Sequence, residues 1–293
     1  MADFLQQVVA GLSSGGIYAS LALAIVLIYR ATQVVNFAQG EMAMFTTYIA
    51  WTLVEAGLTY WLAFGLTLLA AFVFGVAIER VVIRPLERAP VLTVVIITLG
   101  LLVALNGLAA AIWSSEVKAF PSAFSTRAVR IGGVSFSIQD IGVIAVSLAA
   151  VFLLFAFFRY TKTGLALRAA ALNPTASRFV GVRVGWMLAL GWGMAAVLGA
   201  VSGMMVAPSV FLDPNMMRAI LLYAFAAAVL GGIDSPLGAV VGGLVLGVGL
   251  NLLSAYVDFV GTDLRLPVAL GIILLVLVVR PSGLFGRVAV RRV

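Results

Sequence analysis

The sequence predicts an all-α protein: a polytopic transmembrane helical bundle of about eight to nine spans, forming a single domain over residues 1–293. Three observations carry that prediction. The first is composition, 63% hydrophobic and only 10% charged, with a mean hydropathy of +1.19. Surface-to-volume scaling does not let a water-soluble domain hide that much apolar surface, so lipid must be the solvent. The second is run length. Val91–Trp113 holds no charged residue, and at about 1.5 Å per residue it reaches roughly 34 Å, enough for a hydrocarbon core of about 30 Å. The third is the lack of short alternating segments, which leaves helices to satisfy the backbone in lipid.

Taken in order, the first span is 5–29. Met1–Phe4 carries Asp3 and no basic region, and Arg30 closes the apolar stretch in place of a small-residue cleavage site. It reads as a retained span, not a signal peptide. Segment 37–56 is apolar but peppered with polar residues, and 219–233 is short. The remaining spans are 60–78, 91–113, 138–158, 186–207, 237–257 and 266–280.

The net charge of +7 does not point to nucleic acid, because the bases cluster between spans. The breaks at 79–90, 159–185 and 281–293 carry Arg80, Arg84 and Arg88, then Arg159, Lys162, Arg168, Arg178 and Arg183, then Arg287, Arg291 and Arg292. The positive-inside rule assigns these to the cytoplasm. The breaks at 114–137, 208–218 and 258–265 mix Glu116, Asp213, Asp258 and Asp263 with fewer bases and belong outside. Nine spans put the N-terminus out and the C-terminus in. If 37–56 or 219–233 is re-entrant, eight remain, and either the N-terminus flips or Arg30 lies outside.

Several function classes fall away. With no histidine and no cysteine, histidine-dependent hydrolysis, thiol chemistry, disulfides and the usual soft-metal sites are excluded. No GxxxxGK[ST] run occurs, and the only lysines, Lys118 and Lys162, lie in other contexts. The chain therefore cannot hold ATP in the P-loop manner. It reads as no enzyme and binds no cofactor of its own; nucleotide-driven work must come from another polypeptide. The pairs Gly199/Gly203, Gly238/Gly242 and Gly243/Gly247 fit small-xxx-small spacing, which points to close packing within the bundle.

The cytoplasmic break RYTKTGLALRAAALNPTASRFVGVRVGW has local signals of its own. Leu165–Leu172 is a helical run, Asn173-Pro174 reads as an N-cap followed by proline at the first helical position, and Gly181 suits a left-handed ending. Two helical pieces thus join at Asn173, the second too short to stand alone in water. The segment is either a topogenic loop lying on anionic headgroups, or a docking element for a cytoplasmic partner. In the second case Phe179 and Val180 are apolar anchors and Arg178 a charged contact.

Among the spans, Glu41 stands out, since a carboxylate in lipid must face protein, water or a partner. Asn36, Gln39, Thr46 and Thr47 supply polar atoms near it, and Gly40 permits an unwound or tightly packed backbone. Either Glu41 sits hydrated near an interface, or a broken helix lines a path there. A second polar break, Gly231–Pro236, contains Asp234 and Ser235. Paired interruptions in two halves point to inverted repeats around a pathway, so 36–47 and 231–242 are expected to correspond. Asp234 is otherwise expected to cap the helix starting at Pro236.

Three stretches resemble one family. RAAALNPTASRFVGVRV is similar to the cytoplasmic coupling loop of ABC-importer permeases, in the version of the LivH-type branched-chain amino-acid permeases, with Leu172 where an acidic residue often precedes Asn-Pro. GLSSGGIYASLALAIVLIYRATQVVNFAQGEMAM at 11–44 resembles the amino-terminal signature of the same permeases, with Gln39 in place of the histidine of N-F-A-H-G-E. AFAAAVLGGIDSPLGAVVGGLVLG at 224–247 resembles their Gly-Gly-Ile signature.

The resemblance implies a multi-pass permease of the bacterial inner membrane. It implies partners too: two cytoplasmic ABC ATPase subunits that use the ATP, a second, related permease, and an extracytoplasmic solute-binding protein. Arg168, Asn173, Pro174, Ser177, Arg178, Phe179 and Gly181 would form the coupling contact, within a loop at 159–185. The pathway candidates are Asn36, Gln39, Gly40, Glu41, Thr46, Asp234 and Ser235. Phe120, Pro121, Phe124, Arg127 and Arg130 form the candidate surface for the binding protein. The implied substrates are branched-chain amino acids, with urea, amides and other small organic acids imported by related systems. The other function class is a stand-alone secondary transporter or channel in which Glu41 is the proton or ion site.

Overall fold

The computed structural model describes residues 2–86, 89–131, 134–261 and 263–286. Arg88, Arg287, Arg291 and Arg292 lie outside the described residues, as does the side chain of Arg130. In chain order the helices are α1 (Ala2–Thr32), α2 (Gln39–Glu55), α3 (Tyr60–Ile78), α4 (Val91–Trp113), α5 (Ile138–Tyr160), α6 (Lys162–Leu172), α7 (Pro174–Phe179), α8 (Val184–Val210), α9 (Arg218–Gly231), α10 (Pro236–Tyr256) and α11 (Arg265–Val279). Two paired strands, β1 (Ala128–Ile131) and β2 (Val134–Ser137), form a hairpin between α4 and α5. The helical bundle is as predicted; the hairpin is not. Its signal is local, alternating residues flanking Gly132-Gly133 in the sequence, and it lies outside the spans where the hydropathy reading has force.

Among the described residues, six helices are long and apolar enough to cross a membrane unaided: α1, α3 with its extension, α4, α5, α8 and α10. The other three expected spans are the short helices α2, α9 and α11, of 17, 14 and 15 residues. Over its 18-residue apolar window α1 is 83% buried, against 17% for α4 and α5, so α1 is the central post and α4 and α5 face lipid. Around α1 stand α10, α8, α5 and α9. Helix α3 does not stop at Ile78 but continues through a π turn, Glu79–Ile83, and a 3₁₀ turn, Arg84–Leu86. There the Arg80 Nε lies 3.6 Å from Glu79, and its guanidinium sits 3.8 Å from the centre of the Trp186 ring.

Small residues explain why these helices approach so closely. Each glycine pair singled out in the sequence serves a different seam. Gly199 and Gly203 of α8 face Gln39, Ala43 and Thr47 of α2; Gly238 and Gly242 of α10 meet Gly231 and Ala227 of α9; Gly243 and Gly247 meet Ala19, Gly15 and Gly11 of α1. A β-carbon at Gly243 would lie 2.5 Å from the Ala19 backbone. All three seams are internal, as the spacing led us to expect. Gly247→Leu is expected to lower stability by about 1–3 kcal/mol through overpacking against the backbone of α1. Gly249→Leu, where nothing lies within 4 Å, should leave it nearly unchanged; thermal melts in detergent compare the two.

Side-chain neighbours fix the direction of each helix. Asn251 near the far end of α10 donates to the Gln7 carbonyl of α1 at 2.7 Å. At the other end of α1, Arg30 shares a cavity wall with Arg159 and Arg168. The N-terminus is therefore on the side opposite the basic breaks, which is the outside. The Lys118 and Leu212 backbones pair at 2.9 Å, joining two of the expected outer loops. On the inner side, Leu284 and Phe285 donate to the carbonyls of Leu230 and Gly231, and Gly283 lies against Gly232.

Candidate translocation path and cytoplasmic foot

The path candidates gather where α2 begins. Thr32 closes α1 by donating to the Ile28 carbonyl at 2.8 Å, and Gln33 then takes a left-handed conformation with φ of 57°. Residues 33–38 are not helical. Asn36 Oδ1 accepts from the Ala38 N–H at 3.0 Å, and Asn36 Nδ2 donates to Gln39 Oε1 at 3.3 Å. Gln39 Nε2 donates to the Ala195 carbonyl at 3.0 Å. Buried side-chain amides thus help satisfy this stretch of unwound backbone, as the membrane interior requires. Since Ala195 lies well inside α8, roughly 16 Å along from Val184, α2 starts in mid-bundle and not at a membrane face. It ends outside, where the Trp113 indole donates to Thr52 at 2.8 Å.

Helix α9 begins beside this point. A β-carbon on Gly40 would touch Leu221 at 3.2 Å and Met217 at 3.5 Å. Before α9 the chain is again non-helical, with Leu212 and Met217 enclosed at 0% and 1% exposure while Phe211 and Asn215 are exposed. Two short helices therefore meet by their N-terminal ends and run to opposite faces, α2 outward and α9 inward. Glu41, in the first turn of α2, is 3% exposed, and its Oε2 has no hydrogen-bond partner among the described residues. The Asn106 amide is a hydrogen-bonding neighbour of that carboxylate, and Arg218 and Asp213 are its charged neighbours. Thr46 is engaged inside its own helix, donating to Met42 and Ala43 carbonyls at 3.0 and 2.9 Å.

Asp234 and Ser235 are not part of this cluster. They form the turn between α9 and α10 at the cytoplasmic end, against the 282–286 strap. Ser235 Oγ, rather than Asp234, caps α10 by accepting from the Gly238 N–H at 3.0 Å; the Asp234 carboxylate is turned toward Gly286. The breaks at 36–47 and 231–242 lie at different depths, the first at the α2–α9 junction and the second at the cytoplasmic end. Segment 211–217 keeps to the expected outer loop at its start, where Leu212 pairs with Lys118, Phe211 and Asn215 are exposed and the Asn215 N–H donates to Asp213; at its end Met217 is enclosed beside Gly40.

The cytoplasmic break folds as its local signals indicate. Thr161 caps α6 by accepting from Gly164 N–H at 2.9 Å, and Asn173 caps α7 by accepting from Ala176 N–H at 2.9 Å. Gly181 takes φ of 84°, with the Gly181 and Val182 N–H groups donating to the Arg178 and Ser177 carbonyls at 3.1 and 3.0 Å. The left-handed step is why glycine stands there. Phe179, Val180 and Leu172 are 87%, 78% and 72% exposed. Asn173, Pro174 and Arg178 share that exposed side, whereas Ser177 is buried and Arg168 turns into the cavity beside α1 and α5.

On the outer side, Phe120 is buried against Tyr60 at 6.1 Å between ring centres, and Phe124 packs on Trp61 at 5.4 Å. These aromatics tie the loop to α3. Of the surface expected there, Pro121 and Arg127 remain exposed.

A helical bundle with a buried, broken, polar crossing at its centre and a small basic foot on its inner side is the build of a solute permease. The chain belongs to the family of permease components of branched-chain amino acid transport systems, whose profile matches residues 7–279. It is 32% identical to the high-affinity branched-chain amino acid transport system permease protein LivH of Escherichia coli K12, over 99% of this chain and 98% of that one. To LivH of Salmonella typhimurium it is 31% identical over the same shares, and to BraD of Pseudomonas aeruginosa, a permease protein of the same description, 32%. Among solved structures it shares its fold with PsaBC from Streptococcus pneumoniae in complex with Fab, at a TM-score of 0.51 and 13% identity over 95% of this chain and 92% of that one. It is a multi-pass inner-membrane protein.

Proposed function

We propose that this chain is the membrane-spanning subunit of an ATP-driven ABC importer for branched-chain or related small amino acids. Its partners are two cytoplasmic ATPase subunits, a second, related permease subunit and an extracytoplasmic solute-binding protein. ATP is used by the ATPases; this chain binds no cofactor. The observation that carries the reading is the foot. Large apolar side chains project into water at Leu172, the last residue of α6, and at Phe179 and Val180, where the capped six-residue α7 ends, an arrangement that water alone disfavours and a protein cleft explains.

Helix α6, which leads into α7, lies against α5, α8 and α1. Closure of the ATPase pair pushes α7, and α6 passes the displacement to α8, whose Ala195 carbonyl holds Gln39. The α2–α9 junction then opens alternately to each side. There Glu41 receives the ammonium of a zwitterionic substrate through its unpartnered oxygen, and Arg218 faces the carboxylate. The test is reconstitution in liposomes. Alone, the chain should move no substrate under a proton or sodium gradient. With the ATPases, the second permease and the binding protein, uptake should require ATP. Gradient-driven uptake by the chain alone would overturn the proposal in favour of a stand-alone carrier.

A further inference from the structure

From the geometry of the inner side we infer that an anionic phospholipid of the cytoplasmic leaflet binds between α1, α5, α6, α8 and α10. A cavity of about 640 Å³ lies there, mostly apolar in lining. It belongs neither to the α2–α9 junction nor to the exposed side of α7. Phe152, Phe155 and Leu237, exposed by 65%, 51% and 58%, stand on the lipid-facing sides of α5 and α10 that border it. A hydrocarbon chain can therefore enter sideways from the bilayer.

Three arginines line the same cavity: Arg30 from the last turn of α1, Arg159 from the last turn of α5, and Arg168 from α6. The Arg168 Nε is buried and has no hydrogen-bond acceptor among the described residues. A buried guanidinium donor left without an acceptor, at the edge of an apolar space, calls for an external oxyanion. The N-terminal end of α10 adds its positive dipole, since Ser235, Pro236 and Leu237 are also in the lining.

Together the features specify one chemistry, a phosphate head on arginines with acyl chains in a greasy slot open to lipid. Because Leu167, Arg168 and Ala171 of α6 form one wall, the lipid braces the helix that carries the foot. The site does not depend on the identity of the transported solute, nor on what docks at α7.

Native mass spectrometry of the delipidated full-length chain tests it, with dioleoyl phosphatidylglycerol titrated against dioleoyl phosphatidylcholine. One phosphatidylglycerol should be retained at a concentration about twenty-fivefold lower than the phosphatidylcholine needs, from about fivefold each for Arg159 and Arg168. Arg168→Gln and Arg159→Gln should each weaken retention about fivefold. Arg159 is exposed, so its variant keeps the test open should the Arg168 change impair folding. Leu148→Trp, which fills the slot without altering charge, should also weaken retention. Equal retention of the two lipids, or unchanged retention in both arginine variants, overturns the inference. So does displacement by millimolar inorganic phosphate, which would mean a free-anion site. Full retention in Leu148→Trp would mean a flat basic surface, and a second permease chain seated there in place of lipid would mean an interface between copies; either outcome refutes the lipid slot.

Discussion

Replacing Glu41 with methionine is expected to make the protein more stable and to abolish uptake by the assembled importer. The two effects have one origin. Glu41 is 3% exposed, and its Oε2 has no partner within the described chain. A carboxylate so placed is a burden on the fold, about 2.5–3.5 kcal/mol on insertion scales for a charged residue at the membrane centre. Methionine has similar length and no charge, so it relieves that cost and leaves the packing volume nearly unchanged. If the oxygen exists to receive a substrate ammonium, the same change removes the counter-charge. A residue that opposes stability and is needed for activity marks a functional site. Melting in detergent and initial uptake rates by the reconstituted complex check both halves. Glu41→Gln should share the loss of uptake, because shape is kept and charge is not. A methionine variant that melts lower, or that transports normally, contradicts the assignment.

The second large effect belongs to the foot. Arg178→Glu reverses a charge on the exposed side of α7, and Phe179→Pro removes its most exposed aromatic and distorts its last turn. Loss of an anchoring aromatic commonly costs 2 kcal/mol or more in binding, about thirtyfold in affinity. Both variants should remain in the membrane, since α7 lies outside every span and packs only lightly. ATP hydrolysis measured with uptake on the same preparation should show hydrolysis released from transport. Normal uptake in both variants, at equal expression, would remove the docking role.

How much of this was legible beforehand varied with the kind of signal. The spans were, because an uncharged run such as Val91–Trp113 has one physical solution in lipid. So were the caps at Asn173 and the left-handed Gly181, because caps are decided by neighbours in sequence. The glycine seams were visible as spacings, but which helix each one meets is a property of the assembled bundle: Gly203 meets α2 whereas Gly247 meets α1.

Depth was the hardest quantity to read. Asn36 and Asp234 both sit in polar breaks beside glycines, yet one lies in mid-bundle and the other at the cytoplasmic end. Only tertiary contacts, Gln39 to Ala195 and Gly232 to Gly286, separate them. The same limit hid the Arg168 direction, since an arginine on a short amphipathic helix reads equally well facing a partner or a cavity. Segment 211–217 was legible in part: its turn is at the surface, with Phe211 and Asn215 exposed, whereas the enclosure of Leu212 and Met217 depends on the assembled bundle.

The absence of cysteine from the sequence makes the decisive measurement clean. A Phe179→Cys variant carries one thiol, at a position 87% exposed in the native chain, and can be joined to the ATPase subunit by a short thiol-to-amine cross-linker in membranes holding the whole importer. A covalent permease–ATPase product is expected from Phe179→Cys and not from Tyr256→Cys at the outer end of α10. A thiol at 179 that yields no such product, or that reacts with a membrane-impermeant reagent added from outside, would contradict the account.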